Sequence, residues 1–166
     1  MKALILTGKL ATDQEVIYPL YRLHEAGYEV DIAVRGGQEV LGEKGIKIPA
    51  NRDFTDDLYR ETYHLLILPG GAKCMEYLRQ DKWALDFIAA FPRTIGCICH
   101  GAQLLISAGL VKGRFISGYY SIKDDITNAG GKYMDAAFVT DGRIVTSPHY
   151  KHMGLWMKEV LRVAQV

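Results

Sequence analysis

Thr94-Ile95-Gly96-Cys97-Ile98-Cys99-His100-Gly101-Ala102-Gln103-Leu104-Leu105 is the stretch on which the reading of the fold turns. Its first half is apolar throughout, as a strand covered on both faces should be, and its second half opens a helical pattern. A buried strand that enters a helix through Cys-His-Gly is the thiol counterpart of the serine nucleophile elbow. Gly101 permits the tight turn, because a side chain beside the elbow would clash. Cys99 is thereby expected at a helix N-terminus, whose unpaired amides and positive end favour a thiolate. Its pKa is expected below the free value of about 8.5. In open α/β sheets, sites form beyond the carboxyl ends of the strands, which is where Cys99 falls.

Working outward, three more short apolar runs read as strands: Ala3-Leu4-Ile5-Leu6, Val30-Asp31-Ile32-Ala33-Val34 and Leu65-Leu66-Ile67-Leu68. Helix-period segments lie between them. Glu15 to Ala26 carries Val16, Leu20 and Leu23 on one stripe and stops at Gly27, with Pro19 marking a start or a bend. Asp81 reads as the N-cap of a helix over Lys82 to Ala90, Ala102 to Ala108 ends at Gly109, and Gly154 to Val166 forms a final helix. Strands alternating with helices predict a mostly parallel sheet with helices on both faces. Gly36 to Ile48 departs from the alternation as a hairpin or extended excursion. Ala137 to Ser147 reads as two strands joined at Asp141-Gly142.

The 166 residues suit one domain, 1–166, with a full core, and no linker or repeat divides them. A net charge of +1 with no long basic run gives no reason to expect nucleic acid. No apolar stretch is long enough for a bilayer, and Met1 to Thr7 lacks the features of a signal peptide. The three cysteines, two of them in Cys97-Ile98-Cys99, make a poor disulfide framework, so a reducing, cytoplasmic setting with free thiols is expected. The spacing of Cys97, Cys99 and His100 is too tight for a usual zinc site, and neither metal nor cofactor is expected.

Leu68-Pro69-Gly70-Gly71 follows another buried strand. The amides of Gly70 and Gly71, with that of His100, could form an oxyanion hole. Pro-Gly-Gly ends many strands; its pairing with Cys-His-Gly on a second strand end is the specific signal. Cys97 reads as a core side chain and Cys74 as a residue of the surface or rim. His24 and His64 read as structural. His149 and His152 could reach the crevice from their loop, although a solvated loop histidine has equal standing.

Pro69-Gly70-Gly71, Ile98-Cys99-His100-Gly101, Leu105-Ile106-Ser107-Ala108-Gly109, Ile122-Lys123-Asp124-Asp125 and Asn128-Ala129-Gly130 together resemble the PfpI intracellular protease branch of the ThiJ/PfpI superfamily. The likeness runs from Met1 to the final helix. It implies a single-domain three-layer α/β sandwich of the class I glutamine-amidotransferase-like (flavodoxin-like) kind. It also implies a nucleophilic Cys99, a partner in His100, and a homo-oligomer, dimer or hexamer. In that branch a glutamate after the Pro-Gly-Gly turn completes the site of a neighbouring subunit, and Glu76 is the matching residue. An ordinary surface charge is the even alternative for Glu76.

Two departures from the family pattern bear on chemistry. Thr12-Asp13-Gln14-Glu15 stands where the resemblance places Glu-Asp-x-Glu, so Thr12 occupies the position of the glutamate over the thiol. Glu15, one helical turn on, is expected to face elsewhere. Ser147-Pro148-His149-Tyr150-Lys151-His152 stands where the family favours Ser-Arg followed by Pro and, a little later, Asp. Thr12, Glu15, Tyr119 and His149 are expected at the rim. Loss of the carboxylate weighs against deglycase or glyoxalase chemistry. The resulting expectation is a stress-related PfpI-like cysteine peptidase or amidase acting on a peptide or small carbonyl. A deglycase or glyoxalase using the same thiol is the alternative, and an oxidation-sensing or chaperone-like protein is the reading of another class.

Overall fold

The computed structural model describes residues 1–165. The first half of the chain forms β1 (Lys2–Leu6), α1 (Asp13–Glu25), β2 (Glu29–Val34), β3 (Val40–Leu41), β4 (Lys47–Ile48), β5 (Arg52–Asp53), β6 (Leu65–Leu68), α2 (Ala72–Leu78) and α3 (Lys82–Ala90). The second half forms β7 (Thr94–Ile98), α4 (Ala102–Ser107), β8 (Phe115–Ile116), α5 (Lys123–Asn128), β9 (Lys132–Tyr133), β10 (Val139–Asp141), β11 (Ile144–Ser147) and α6 (Met153–Ala164). Seven strands make the main sheet in the order β10-β11-β7-β6-β1-β2-β5. Among the described residues only β10 runs antiparallel within it, paired with β11 across the Asp141-Gly142 turn that the sequence marks.

The chain leaves β1 toward β2 and later crosses to β6 on the other side of β1. Right-handed crossovers in opposite directions put α1 on one face of the sheet and α2 to α4 on the other. The reversal opens a crevice at the carboxyl ends of β1 and β6, where α/β sheets take ligands. β6 and β7 are buried along their whole length, which explains their unbroken apolar runs. Gly96, inside β7, makes room for α6. A Cβ there would lie 2.9 Å from both Ile67 Cδ1 and Val160 Cγ2, and 3.2 Å from the ring of the fully buried Trp156. The Trp156 indole N–H is satisfied by the Val145 carbonyl at 3.1 Å.

Most sequence expectations match these elements. Asp81 caps α3 by accepting the Ala84 N–H at 3.1 Å, Gly27 ends the α1 region at φ +80°, and Gly36 to Ile48 contains the antiparallel hairpin β3–β4. The expected end of the last helix, Val166, lies outside the described residues. α1 differs in its start: it begins at Asp13 and runs through Pro19 rather than starting or breaking there. That shift of two residues changes which side chain reaches the crevice. α2 and α5, of seven and six residues, span no more than about two turns, too few for their periodicity to stand out in the sequence.

Candidate active site

Cys99 sits where β7 ends and a single 3-10 turn, Cys99–Gly101, leads into α4. Its φ is +60°, the left-handed region that L-residues enter at a cost of about 1–2 kcal/mol, so the elbow is strained at Cys99 itself. Gly101 is needed for a different reason than a special dihedral. Its φ is an ordinary −55°, but a Cβ would come within 2.6 Å of the Leu68 carbonyl oxygen. Close packing of the elbow on the end of β6 therefore demands glycine. Cys99 is 6% exposed, enough to open on a cleft of about 320 Å³ lined by Thr12, Glu15, Tyr119 and His149 among others.

Glu15 corrects the sequence reading. It does not face elsewhere: it is fully buried, its Oε2 accepts the Gly70 N–H at 2.7 Å, and its carboxyl faces the Cys99 thiol. Because α1 starts at Asp13, Thr12 is the N-cap and Glu15 the third helical residue. Residues three apart share a face, so Glu15 reaches back over the position assigned to Thr12. Thr12 is itself buried beside the cleft, its N–H bonded to the Gly70 carbonyl at 3.2 Å. The carboxylate read as missing is present, supplied from one turn further along.

This arrangement also changes the oxyanion hole. Gly70 cannot contribute its amide, which Glu15 already occupies. The amides of His100 and Gly71 remain, and both face the Cys99 sulfur and favour its charged form. Gly70 instead supplies space. A Cβ there would lie 2.8 Å from Glu15 Oε2, 2.9 Å from His100 N and 3.0 Å from Cys99 Cβ. We expect Gly70→Ala to lower activity at least tenfold and stability by about 1–3 kcal/mol, since the backbone amide of His100 cannot yield. Urea unfolding read beside Cys99 alkylation rates checks both effects.

Electrostatics here oppose the expectation of a simple low-pKa thiol. Burial first, and then the charge of Glu15, push the Cys99 thiol up, against the pull of the His100 and Gly71 amides. Burial likewise raises Glu15, to about 8. With both groups raised, each opposes the ionisation of the other, and near neutral pH Glu15 holds its proton beside the sulfur. His100 Nδ1 lies 3.5 Å from Cys99 Sγ, and Nε2 lies 3.5 Å from Ser121 Oγ. The imidazole stacks on Tyr119 at 4.5 Å, and burial lowers its pKa, so it is neutral near pH 7. His149 extends the aromatic wall, 6.1 Å from the Tyr119 ring.

Other expected residues fall outside the cleft. Glu76 is exposed on α2 and does not line it. Cys74 is not at the rim but fully buried in α2, and burial pushes its thiol up to about 11. Cys97 is buried in β7, as read. Glu43, Lys44 and Tyr150 line the cleft without having been singled out. The Gly36 to Ile48 excursion is legible in the sequence, but nothing local says which wall it approaches. Among the described residues no three His, Cys, Asp or Glu side chains converge as a metal-ligand group.

The model of the DJ-1/PfpI family matches residues 1–163. The chain belongs to this family. Among its DJ-1/PfpI relatives, Deglycase PfpI of Pyrococcus furiosus is 36% identical over 166 residues, covering 98% of this chain and 99% of that protein. YraA of Bacillus subtilis, named provisionally as a cysteine protease, is 38% identical over 146 residues, 83% of this chain and 85% of that one. The solved structure of Schizosaccharomyces pombe DJ-1 superposes with a TM-score of 0.89 at 21% identity, over 98% of this chain and 90% of its own. That likeness speaks for the fold. The named relatives in this family are enzymes, a deglycase and a provisional protease.

Proposed function

We propose that the protein is a deglycase-type thiol enzyme acting on small 2-oxoaldehydes and their amine adducts. The observation that carries this reading is the buried carboxyl of Glu15, poised near neutral pH and facing the nucleophile. An amine adduct of a 2-oxoaldehyde is a carbinolamine. Its C–N bond breaks as the hydroxyl proton passes to nitrogen, releasing the amine and an aldehyde. Cys99 sulfur adds to that aldehyde carbon, and Glu15 gives its proton to the new oxyanion. Glu15, now a carboxylate, takes the hydrogen from the sulfur-bearing carbon as a proton and returns it to the neighbouring carbonyl carbon, while the hydroxyl proton of the sulfur-bearing carbon passes to the neighbouring carbonyl oxygen. A thioester of a 2-hydroxy acid results, and water activated by neutral His100 hydrolyses it. The sum is carbinolamine plus water to amine plus 2-hydroxy acid.

The name of P. furiosus PfpI supports this chemistry, and the carboxylate it needs stands at position 15. The peptidase reading draws support from the name of YraA. Against it weigh a thiol only 6% exposed and a cleft of about 320 Å³, small for an extended peptide. A peptidase would also want a carboxylate on His100, whose ring meets Ser121 instead; Glu76 could supply one only from a second copy in a homo-oligomer. A reducing, cytoplasmic setting that keeps Cys99 a thiol accords with either reading.

Incubation with methylglyoxal and with its N-acetyl-lysine adduct tests the proposal. Lactate and free amine should appear, and iodoacetamide should abolish both, while unstructured peptides stay intact. Iodoacetamide-sensitive peptide cleavage without oxoaldehyde consumption would restore the peptidase.

A further inference from the structure

The sheet has a second crevice, at the end opposite to Cys99. β6, β7 and β11 are neighbours that start nearly level, with Leu65 paired to Thr94 and Ile144 to Ile95. The residues just before these strands are His64, Arg93 and Arg143, so a histidine and two arginines stand side by side along the amino ends. The Lys2 N–H donates to His64 Nδ1 at 3.2 Å, which leaves the Nε2 proton for another acceptor. The three residues, with Thr140 and with Arg162 and Ala164 of α6, line a cavity of about 560 Å³.

We propose that this cavity is a binding site for a small phosphomonoester, whose phosphate group is taken by Arg93, Arg143 and His64 at the amino ends of β7, β11 and β6. The charge balance of the cavity calls for an anion. Arg143 is half-buried, and among the described residues only its Nη1 is engaged, donating to the Arg93 carbonyl at 3.1 Å. Burial first, and then the nearby Arg114, oppose its charge. The acids close by are already taken. Asp141 pairs with Arg114 at 3.2 Å, and Glu159 pairs with Arg162 at 2.7 Å and accepts the Thr140 hydroxyl at 2.7 Å. Among the described residues no carboxylate stands within 4.0 Å of the Arg93 or Arg143 guanidinium. A half-buried cation beside another cation is costly without a counter-ion, and the guanidinium fork matches phosphate oxygens.

A phosphomonoester suits the site better than a carboxylate does. Its three terminal oxygens can accept from two guanidinia and the His64 Nε2–H together, whereas a carboxylate offers two oxygens. The cavity also has room beyond the phosphate for the molecule that carries it. Arg93 and Cys99 lie at opposite ends of β7, so this site needs nothing from the reading of the Cys99 cleft and stands or fails apart from it.

The test is calorimetric titration with inorganic phosphate and with glycerol 3-phosphate at constant ionic strength. Both should bind saturably, and the ester more tightly. Arg93→Gln and Arg143→Gln should each weaken binding about tenfold or more. Arg22→Gln, which removes an arginine of α1 paired with Glu25, should leave it unchanged. Arg93 is exposed, so Arg93→Gln should stay folded and keep the wild-type rate of Cys99 alkylation even if Arg143→Gln does not. Absence of saturable binding, or binding that survives Arg93→Gln at full strength, would overturn the proposal. So would a single-stranded oligonucleotide that binds more tightly than glycerol 3-phosphate, which would make this end of the sheet a nucleic-acid surface.

Discussion

Glu15→Gln is expected to lower turnover of a 2-oxoaldehyde by about a hundredfold or more, while the protein stays folded and Cys99 remains open to alkylation. Gln keeps the shape and can still accept the Gly70 N–H that Glu15 Oε2 now takes at 2.7 Å. It cannot move a proton between the two carbons of the substrate. Loss of alkylation along with turnover would show that Glu15 only builds the pocket. The same variant has a signature in stability. With its pKa raised by burial to about 8, Glu15 keeps its proton in the native state over a range where the unfolded chain has lost it. The native state then binds more protons, so this group's contribution falls as pH rises from about 4.5 to 8. Relative to Glu15→Gln, the wild type should therefore lose stability across that window, by several kcal/mol as an order of magnitude. Urea unfolding of both forms at pH 5 and pH 8 measures it. A constant difference would mean that Glu15 is ionised throughout.

Cys99→Ala should abolish turnover, a loss of about a thousandfold or more, because no other thiol can take its place. Cys74 and Cys97 are fully buried, and burial raises both. Limited iodoacetamide treatment should for the same reason label Cys99 ahead of both, as peptide mass spectrometry would reveal. Residual turnover near the wild-type level in Cys99→Ala would remove this elbow from the mechanism. The strained φ of +60° at Cys99 adds a second reading of the same site. Cys99→Gly should be as inactive as Cys99→Ala yet more stable by about 1 kcal/mol, since glycine enters that region freely. Thermal unfolding of the two variants decides it. Equal stabilities would mean that the elbow relaxes once the thiol is gone.

What the amino-acid sequence by itself determined was the layered α/β fold and the strand-to-helix elbow that presents Cys99. Those features rest on local information: unbroken apolar runs at β6 and β7, helical spacing between strands, a cap at Asp81, and Cys-His-Gly at a strand end. The family resemblance pointed correctly to the lineage. Which groups surround the sulfur was a different matter. A start for α1 two residues earlier than its apolar stripe suggests brings Glu15 over Cys99 and leaves Thr12 as the cap. The Gly70 amide looked free until Glu15 claimed it, and Cys74 looked like a rim residue until α2 folded it inward. Glu43 lies 28 residues from Glu15 in the chain and lines the same cleft only because buried Asp13 draws the β3–β4 turn onto α1. Periodicity reports on neighbours within a turn or a strand. The charge balance at Cys99 depends on three strand ends and one distant turn converging, and only the packing of the whole sheet decides that.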